Sequence, residues 1–382
     1  MNVDNLLSLA QKYNQITPLY ANTVTINLFA SSASPILLPQ NASICILRLS
    51  AIGDVCHAVS MVSRIREYRP DISIVWITGK IEHALVTGME GVEFIVYDKK
   101  QGKQARNHVK ACLKGRTFDA LCLMQLALRA NWLSRVVNAK VRLGFDAKNS
   151  KEGHSFFINH RIKPHNSRHV LEGFHAFADA LGIPSSSSLS WPIPYSKDDQ
   201  EFATNALAQF SKTVIICPAA SKLERSWQPK CYAEIAVFCQ SLGLSVVLCG
   251  GPGPIDKQLE AEIQSVMETP LPSFIGKTSL KQMFCILKDA LFVIAPDTGP
   301  AHMATAAGTP VVGLYAHSNP RRTGPYLSLQ HVVNVYDTHI IEQQGKPQDE
   351  LKWGTRAKGD ELMSAITTDM VKVSIQGLLD KS

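Results

Sequence analysis

Ile44-Cys-Ile-Leu-Arg-Leu-Ser-Ala-Ile-Gly-Asp54 is the stretch from which the fold is read. Its first six residues form a short, nearly continuous apolar run, the pattern of a strand covered on both faces of a parallel sheet. Ser50-Ala-Ile-Gly53 is a turn, and Val55, Ala58, Val59, Val62 and Ile65 then recur on one helical face. Arg69-Pro-Asp71 stops that helix, and residues 72–78 read as the next strand, giving a β-α-β unit. Further strands are expected at 93–97, 120–124 and 140–145, and a helix at 169–181.

Gly182-Ile-Pro-Ser-Ser-Ser-Ser-Leu-Ser-Trp-Pro-Ile-Pro194 is dense in turn residues and reads as the linker to a second alternating series. Strands are expected there at 213–217, 244–249, 291–295 and 310–315, with helices at 230–242, 256–267 and 280–288. The prediction is an α/β protein of two consecutive Rossmann-like domains with mostly parallel sheets, at 42–190 and 191–345. Residues 1–41 are an extension of weak periodicity, and residues 346–382 form a tail, helical at 359–366 and 368–379, able to pack on either domain.

The chain has 382 residues, enough for about two ordinary domains. With 45% hydrophobic and 19% charged residues and a mean hydropathy of zero, it is a folded globular chain, not a disordered or collagenous one. No apolar run approaches the length of a membrane span, and the start lacks a signal-peptide pattern, so a cytoplasmic location is expected. Nine cysteines are scattered singly, mostly in apolar runs, and read as reduced core thiols without metal-ligand spacing. The net charge of +7 favours an anionic partner. Nucleic acid is poorly supported, because the basic residues form no block and no zinc-finger or aromatic RNA-binding signature is present; a phosphorylated substrate or an anionic membrane surface fits equally well.

Four loops could carry chemistry, each after a predicted strand, where open parallel sheets bind ligands. In Ser50-Ala-Ile-Gly-Asp54, Gly53 permits close approach of a ligand, and Asp54 either caps the helix or acts as an acid-base group. His57, one turn on, is either a packed histidine or an acid-base partner. Asp297-Thr-Gly-Pro-Ala-His302 is sharper: a helix starting near Gly299 would offer free N–H groups and its positive dipole end to an anion, with Thr298 and His302 alongside. This makes a diphosphate cradle, or else a capped helix with a buried histidine. Ser221-Lys-Leu-Glu-Arg225-Ser-Trp227 places two cations and hydroxyls near a helix start, suited to phosphate oxygens, or is a solvated loop anchored by Trp227. Gly250-Gly-Pro-Gly-Pro-Ile-Asp256 could admit a nucleoside, with Asp256 available to ribose. The dinucleotide fingerprint, P-loop, nucleophile elbow, zinc helix and Asp-x-Asp metal pair are all missing, so dehydrogenase, NTPase, serine hydrolase and metallohydrolase readings lose weight.

Together, Ser50 to Asp54, Lys222 to Trp227 and Asp297 to His302 resemble the ADP-heptose:lipopolysaccharide heptosyltransferases, glycosyltransferase family 9, over roughly residues 42–330. The resemblance implies a GT-B architecture, two Rossmann-like domains facing across a cleft, often with a C-terminal helix returning to the first domain. It implies inverting transfer of heptose from ADP-L-glycero-β-D-manno-heptose to the lipopolysaccharide inner core, with no metal or other cofactor. Asp54 matches the family's proposed base. Ser221, Arg225, Thr298, Gly299 and His302 match donor-diphosphate positions, and Asp297, Lys222 and Asp256 are further donor candidates. Gly53 lies on the acceptor side, and Lys99, Lys100, Lys103 and Arg106 either meet an anionic acceptor or form an ordinary solvated loop. The enzyme would work peripherally at the cytoplasmic face of the inner membrane. Alternatives keep the fold and mechanism with another nucleotide sugar or acceptor, or make the chain a catalytically silent nucleotide-sugar-binding protein.

Overall fold

The computed structural model describes residues 35–164, 169–186, 188–352 and 354–380. Residues 1–34 of the expected extension lie outside the described residues. From residue 35 the chain runs against the first domain: the Ile36 N–H donates to the Ala180 carbonyl at 2.7 Å, and Ile36 and Leu38 pack on the core.

The first domain is built on β1 (Ser43–Leu47), β2 (Ser73–Gly79), β3 (Val92–Tyr97), β4 (Phe118–Leu123), β5 (Ala139–Gly144) and β6 (His160–Arg161). They form one parallel sheet in the order β3-β2-β1-β4-β5-β6. β1 pairs Ile44 with Ile74 on one side and with Ala120 on the other, so it lies at the centre, with Ile44 to Leu47 wholly buried. That placement explains the continuous apolar run. The strand order reverses at β1, and the loop after β1 therefore opens into the crevice where such sheets bind ligands.

The second domain repeats the scheme with β7 (Thr213–Ile216), β8 (Ser245–Leu248), β9 (Phe292–Pro296), β10 (Val311–Tyr315) and β11 (Val333–Asn334), all parallel in the order β11-β10-β9-β7-β8. Its reversal lies between β7 and β9, which places the loops after both strands at the crevice. No helix or strand falls among the described residues between the helices Val170–Ala180 and Lys197–Leu207, so the two sheets lie on either side of the expected linker.

The helix Ile52–Tyr68 joins the two halves. Val55, Val59 and Val62 on its apolar stripe share one buried cluster with Phe174 and Phe177 of the first domain and with Ala301, Ala304 and Val293 of the second. The helices Ile52–Tyr68 and Gly299–Ala307 pack directly on each other. The outer face of the second sheet is covered by its own cluster, which takes in Val371, Ile375 and Leu378 of the last helix, Thr368–Leu379. One tail expectation is corrected here and another is resolved. Residues 359–366 contain only the short 3-10 turn Leu362–Ala365, entered past Gly359 at φ 144°, a conformation that cannot continue a helix. The last helix packs on the second domain, where Trp227 Nε1 donates to the Ile366 carbonyl at 2.9 Å, Lys372 pairs with Glu234 at 2.6 Å and Ser374 Oγ donates to the His331 carbonyl. Among the described residues, no helix is long and apolar enough to cross a membrane.

Candidate active site

The loop after β1 is fixed from beneath. The Leu49 N–H donates to Gln125 Oε1 at 2.7 Å, Gln125 Nε2 reaches Ser50 Oγ at 3.3 Å, and Trp76 Nε1 holds the Arg48 carbonyl at 3.1 Å. This places Asp54 in the first turn of the helix Ile52–Tyr68, where its carboxylate accepts weakly from the Ala51 N–H at 3.3 Å. The capping role is therefore real, and it leaves most of the carboxylate free for a second task. Asp54 pairs with Arg48 Nη2 and stays one-third exposed. Arg48 is itself anchored by the Met124 carbonyl at 2.5 Å and by the Phe174 ring, whose centroid lies 5.2 Å from its guanidinium carbon. A cavity of about 290 Å³ opens in front of this pair, walled by Gln125, Phe145, Lys151, Phe174 and, from the second domain, Arg322.

The second half of the site lies at the end of β9. Thr298 occupies the cap position of the helix Gly299–Ala307, yet its hydroxyl makes no capping hydrogen bond, so the first-turn N–H groups keep their capacity for an anion. Asp297 Oδ2 accepts from Ser318 Oγ at 2.6 Å and from Thr323 Oγ1 at 3.3 Å, and its Oδ1 lies 3.8 Å from His302 Nε2. Burial pushes the Asp297 carboxyl up, but His302, Ser318 and Arg356 outweigh it and hold the group below its usual value, so it is a carboxylate at neutral pH. Arg225 stands beside it, its buried Nε without a protein partner; burial and then Arg356 lower its pKa, while Glu224 and Asp297 oppose them.

The two halves interlock. Gly53 packs under the His302 imidazole so closely that a methyl group there would overlap the ring, and a Cβ on Gly299 would sit 3.2 Å from that of Ile52. His57 stands edge-on to His302 with ring centroids 4.8 Å apart, and edge-on to His169 at 5.4 Å. It is 4% exposed, and burial, followed by the neighbouring His302 and His169, drives its pKa well below the ordinary value. His57 is thus a packed, neutral histidine of the domain interface rather than an acid-base partner in the cavity.

The other expected site residues fall in several places. Gly53 serves the approach of His302 and is not on the cavity wall. Asp256 is turned into its own loop: Oδ1 accepts from the Gly251 N–H at 2.8 Å, and the carboxylate fills the space in front of Gly250 and Gly253, which leaves it bracing the loop. Ser221 and Lys222 are exposed, and Lys222 pairs with Glu224 at 3.1 Å. Trp227 is a buried anchor. Lys99, Lys100, Lys103 and Arg106 are exposed on the 3-10 turn Lys99–Gln101 and the helix Lys103–Cys112, outside the cavity wall, with Lys99 near enough to share the field at Glu82 with Arg48.

Arg48, Arg322 and Arg356 are site residues that the sequence reading missed. Arg322 is the most informative, because its charge acts on both Asp54 and Asp297; burial lowers its pKa, Asp54 raises it, and Arg356 lowers it again. Its sequence signal is slight: two arginines in Asn319-Pro-Arg-Arg-Thr-Gly324, just past a strand of the second series. Only the inward one matters here, since Arg321 faces Asp337 at 3.2 Å. Among the described residues, no three His, Cys, Asp or Glu side chains gather to hold a metal ion.

Residues 106–353 match the family model described as glycosyltransferase family 9 (heptosyltransferase). The chain is 40% identical over 337 residues to the lipopolysaccharide core heptosyltransferase OpsX of Haemophilus influenzae, covering 88% of this chain and 97% of that one. It is 24% identical to lipopolysaccharide heptosyltransferase 1 of Pseudomonas aeruginosa, over 74% of this chain and 80% of the relative. Among solved structures, a family 9 glycosyl transferase from Veillonella parvula aligns with a TM-score of 0.75 at 20% identity, covering 91% of this chain and all of that one. The Escherichia coli heptosyltransferase WaaC with ADP aligns at 0.69 and 19%, covering 88% and 99%. With those two folds matching its own paired parallel sheets, and with family and relative agreeing over most of its length, this chain belongs to glycosyltransferase family 9, the GT-B heptosyltransferases.

Proposed function

We propose that this enzyme transfers heptose from ADP-L-glycero-β-D-manno-heptose to a lipopolysaccharide inner-core acceptor, with inversion and without a metal, as a peripheral enzyme on the cytoplasmic face of the inner membrane. The observation that carries the reading is the position of Arg322, a second-domain cation that walls the Asp54 cavity while acting on Asp297 of the anion-binding loop. On this reading acceptor base and donor cradle share one site. The 40% identical relative, a lipopolysaccharide core heptosyltransferase, supports the choice of sugar and acceptor class.

In this mechanism the acceptor hydroxyl sits in the cavity against Asp54. Its oxygen attacks the anomeric carbon from the face opposite the diphosphate, the bond from that carbon to the phosphate oxygen breaks, and the hydroxyl proton passes to Asp54. Arg48 holds the carboxylate on the cavity side of the helix. Negative charge grows on the departing ADP, and the first-turn N–H groups after Thr298, with Arg225 and Arg322, offer preorganised donors to it. Guanidinium groups would in this way supply the positive charge that other sugar transferases draw from a metal. Asp297, kept ionised by His302 and Ser318, is placed to accept from sugar hydroxyls.

The test is transfer by purified protein in EDTA, with the anomeric configuration of the new linkage read by NMR. An α-linked heptose formed at an undiminished rate is expected. A β-linked product, or loss of transfer that added magnesium restores, would contradict the reading.

A further inference from the structure

Beside the Asp54 cavity the first domain carries a partly exposed apolar surface. Leu128 and Trp132 stand one turn apart on the helix Leu128–Ser134, each 49% exposed, and Phe156 of the adjoining 3-10 turn His154–Phe157 is 56% exposed. The ring of Trp132 is held rigid by Phe157, edge-on at 5.5 Å, and by Arg135, whose guanidinium carbon lies 5.1 Å from its centroid. Four exposed cations lie on the same segments of chain, Arg129 and Arg135 at the helix and Lys148 and Lys151 in the loop that leads into the 3-10 turn, and none of them makes an ion pair among the described residues. The nearby carboxylate of Glu152 is engaged by the Leu128 N–H at 2.5 Å. Lys151 and Ala127, next in sequence to Leu128, also line the cavity, so patch and cavity are continuous.

We infer that this face, Leu128, Trp132 and Phe156 with the exposed cations of the same segments, is where the enzyme seats itself on an anionic lipid bilayer. The inference rests on the proposed lipid-linked acceptor and names the surface and the lipid charge that would bring the cavity to it. Tryptophan beside aliphatic side chains suits the boundary between headgroups and acyl chains, and unpaired cations around it suit acidic headgroups. A second copy of the chain fits less well, because a two-fold contact through this patch would bring the four cations of each copy together. Exposed Val237, Met370 and Val373 on the second domain lack this charge: the neighbouring Lys372 is taken up by Glu234 and Asp369. The helix Leu128–Ser134 has 7 residues, so the attachment is shallow and reversible.

The experiment is co-sedimentation of the full chain, without donor or acceptor, with phosphatidylcholine vesicles with and without phosphatidylglycerol. Binding is expected on the anionic vesicles, weakening as salt rises. Trp132→Glu and, on a separate segment, Phe156→Glu should each cut the bound fraction about tenfold or more, since each puts a charge into the boundary. Both should keep wild-type circular dichroism and wild-type transfer to a water-soluble, deacylated acceptor. Equal binding by wild type and both variants would overturn the inference, as would equal binding to neutral and anionic vesicles. Light scattering that shows a dimer which Trp132→Glu makes monomeric, with no vesicle binding, would assign the patch to a second copy and also overturn it. Because vesicle binding needs no turnover, an inactive protein that binds these vesicles would refute the proposed reaction alone.

Discussion

Gly53 and His302 come from different domains and occupy one another's space: the missing side chain of the first is the room taken by the imidazole of the second. The base loop and the anion loop are thereby locked in one register, with Gly299 seated on Ile52 as a second fastening.

Gly53→Ala should therefore lose stability, although alanine is the better helix former by roughly 1 kcal/mol. Overlap with a buried ring in a packed interface costs about 1–3 kcal/mol and displaces His302. Urea unfolding should show a lower midpoint, with transfer impaired as well. A midpoint equal to or above wild type would mean the interface yields without cost.

Asp54→Asn should reduce kcat by about 10²- to 10⁴-fold, the usual contribution of a positioned base, while ADP binds as before. Calorimetric titration with ADP beside steady-state kinetics separates the two. Weakened ADP binding with kcat intact would move Asp54 out of the base role.

Arg322→Ala should lower kcat/KM for the nucleotide sugar by about 10²- to 10³-fold, the scale of losing one preorganised donor to the leaving group. Arg322→Lys should recover only part of this, since it keeps the charge and loses the planar fork. Kinetics at varied donor concentration would show it, and a wild-type value for the alanine variant would remove Arg322 from the site.

How much of this was legible in the sequence depends on range. The strands were, because Ile44 to Leu47, Val214 to Ile216 and Phe292 to Ala295 are buried on both faces and the apolar run records it. Asp54 and the 297–302 loop were found because each follows such a strand. What the sequence did not carry was orientation. Asp256 opens a helix just after a strand, yet faces its own loop, and His57 sits one turn from Asp54, yet faces the other domain. Arg48, inside an apolar run, and Arg322, inside a turn, gain meaning only from partners far along the chain. The tail's place stayed open because a half-apolar helix fits either sheet, and contacts such as the hydrogen bond from Trp227 to Ile366 settle it on the second domain.

The buried histidines predict an acid limit. His154, His169 and His175 are each lowered to about 4, mainly by burial, from an ordinary value of 6.5. The unfolded chain therefore binds more protons than the folded one between these values, so stability is full above about pH 6.5 and falls as pH drops toward 4. The slope is at most about 1.4 kcal/mol per pH unit for each histidine. Urea midpoints measured from pH 7.5 to 4.5 should fall, and His175→Gln, which keeps a partner for Ser60, should flatten part of the slope. A pH-independent midpoint would contradict the burial.

The account is tested most directly by incubating wild type and Asp54→Asn, in EDTA, with ADP-heptose and deep-rough lipopolysaccharide acceptors, and weighing the lipid products by mass spectrometry. The prediction is a gain of one heptose with the wild type and almost none with the variant, although both bind ADP. ADP binding with no heptose added by the wild type to any acceptor, or equal addition by the two proteins, would contradict it.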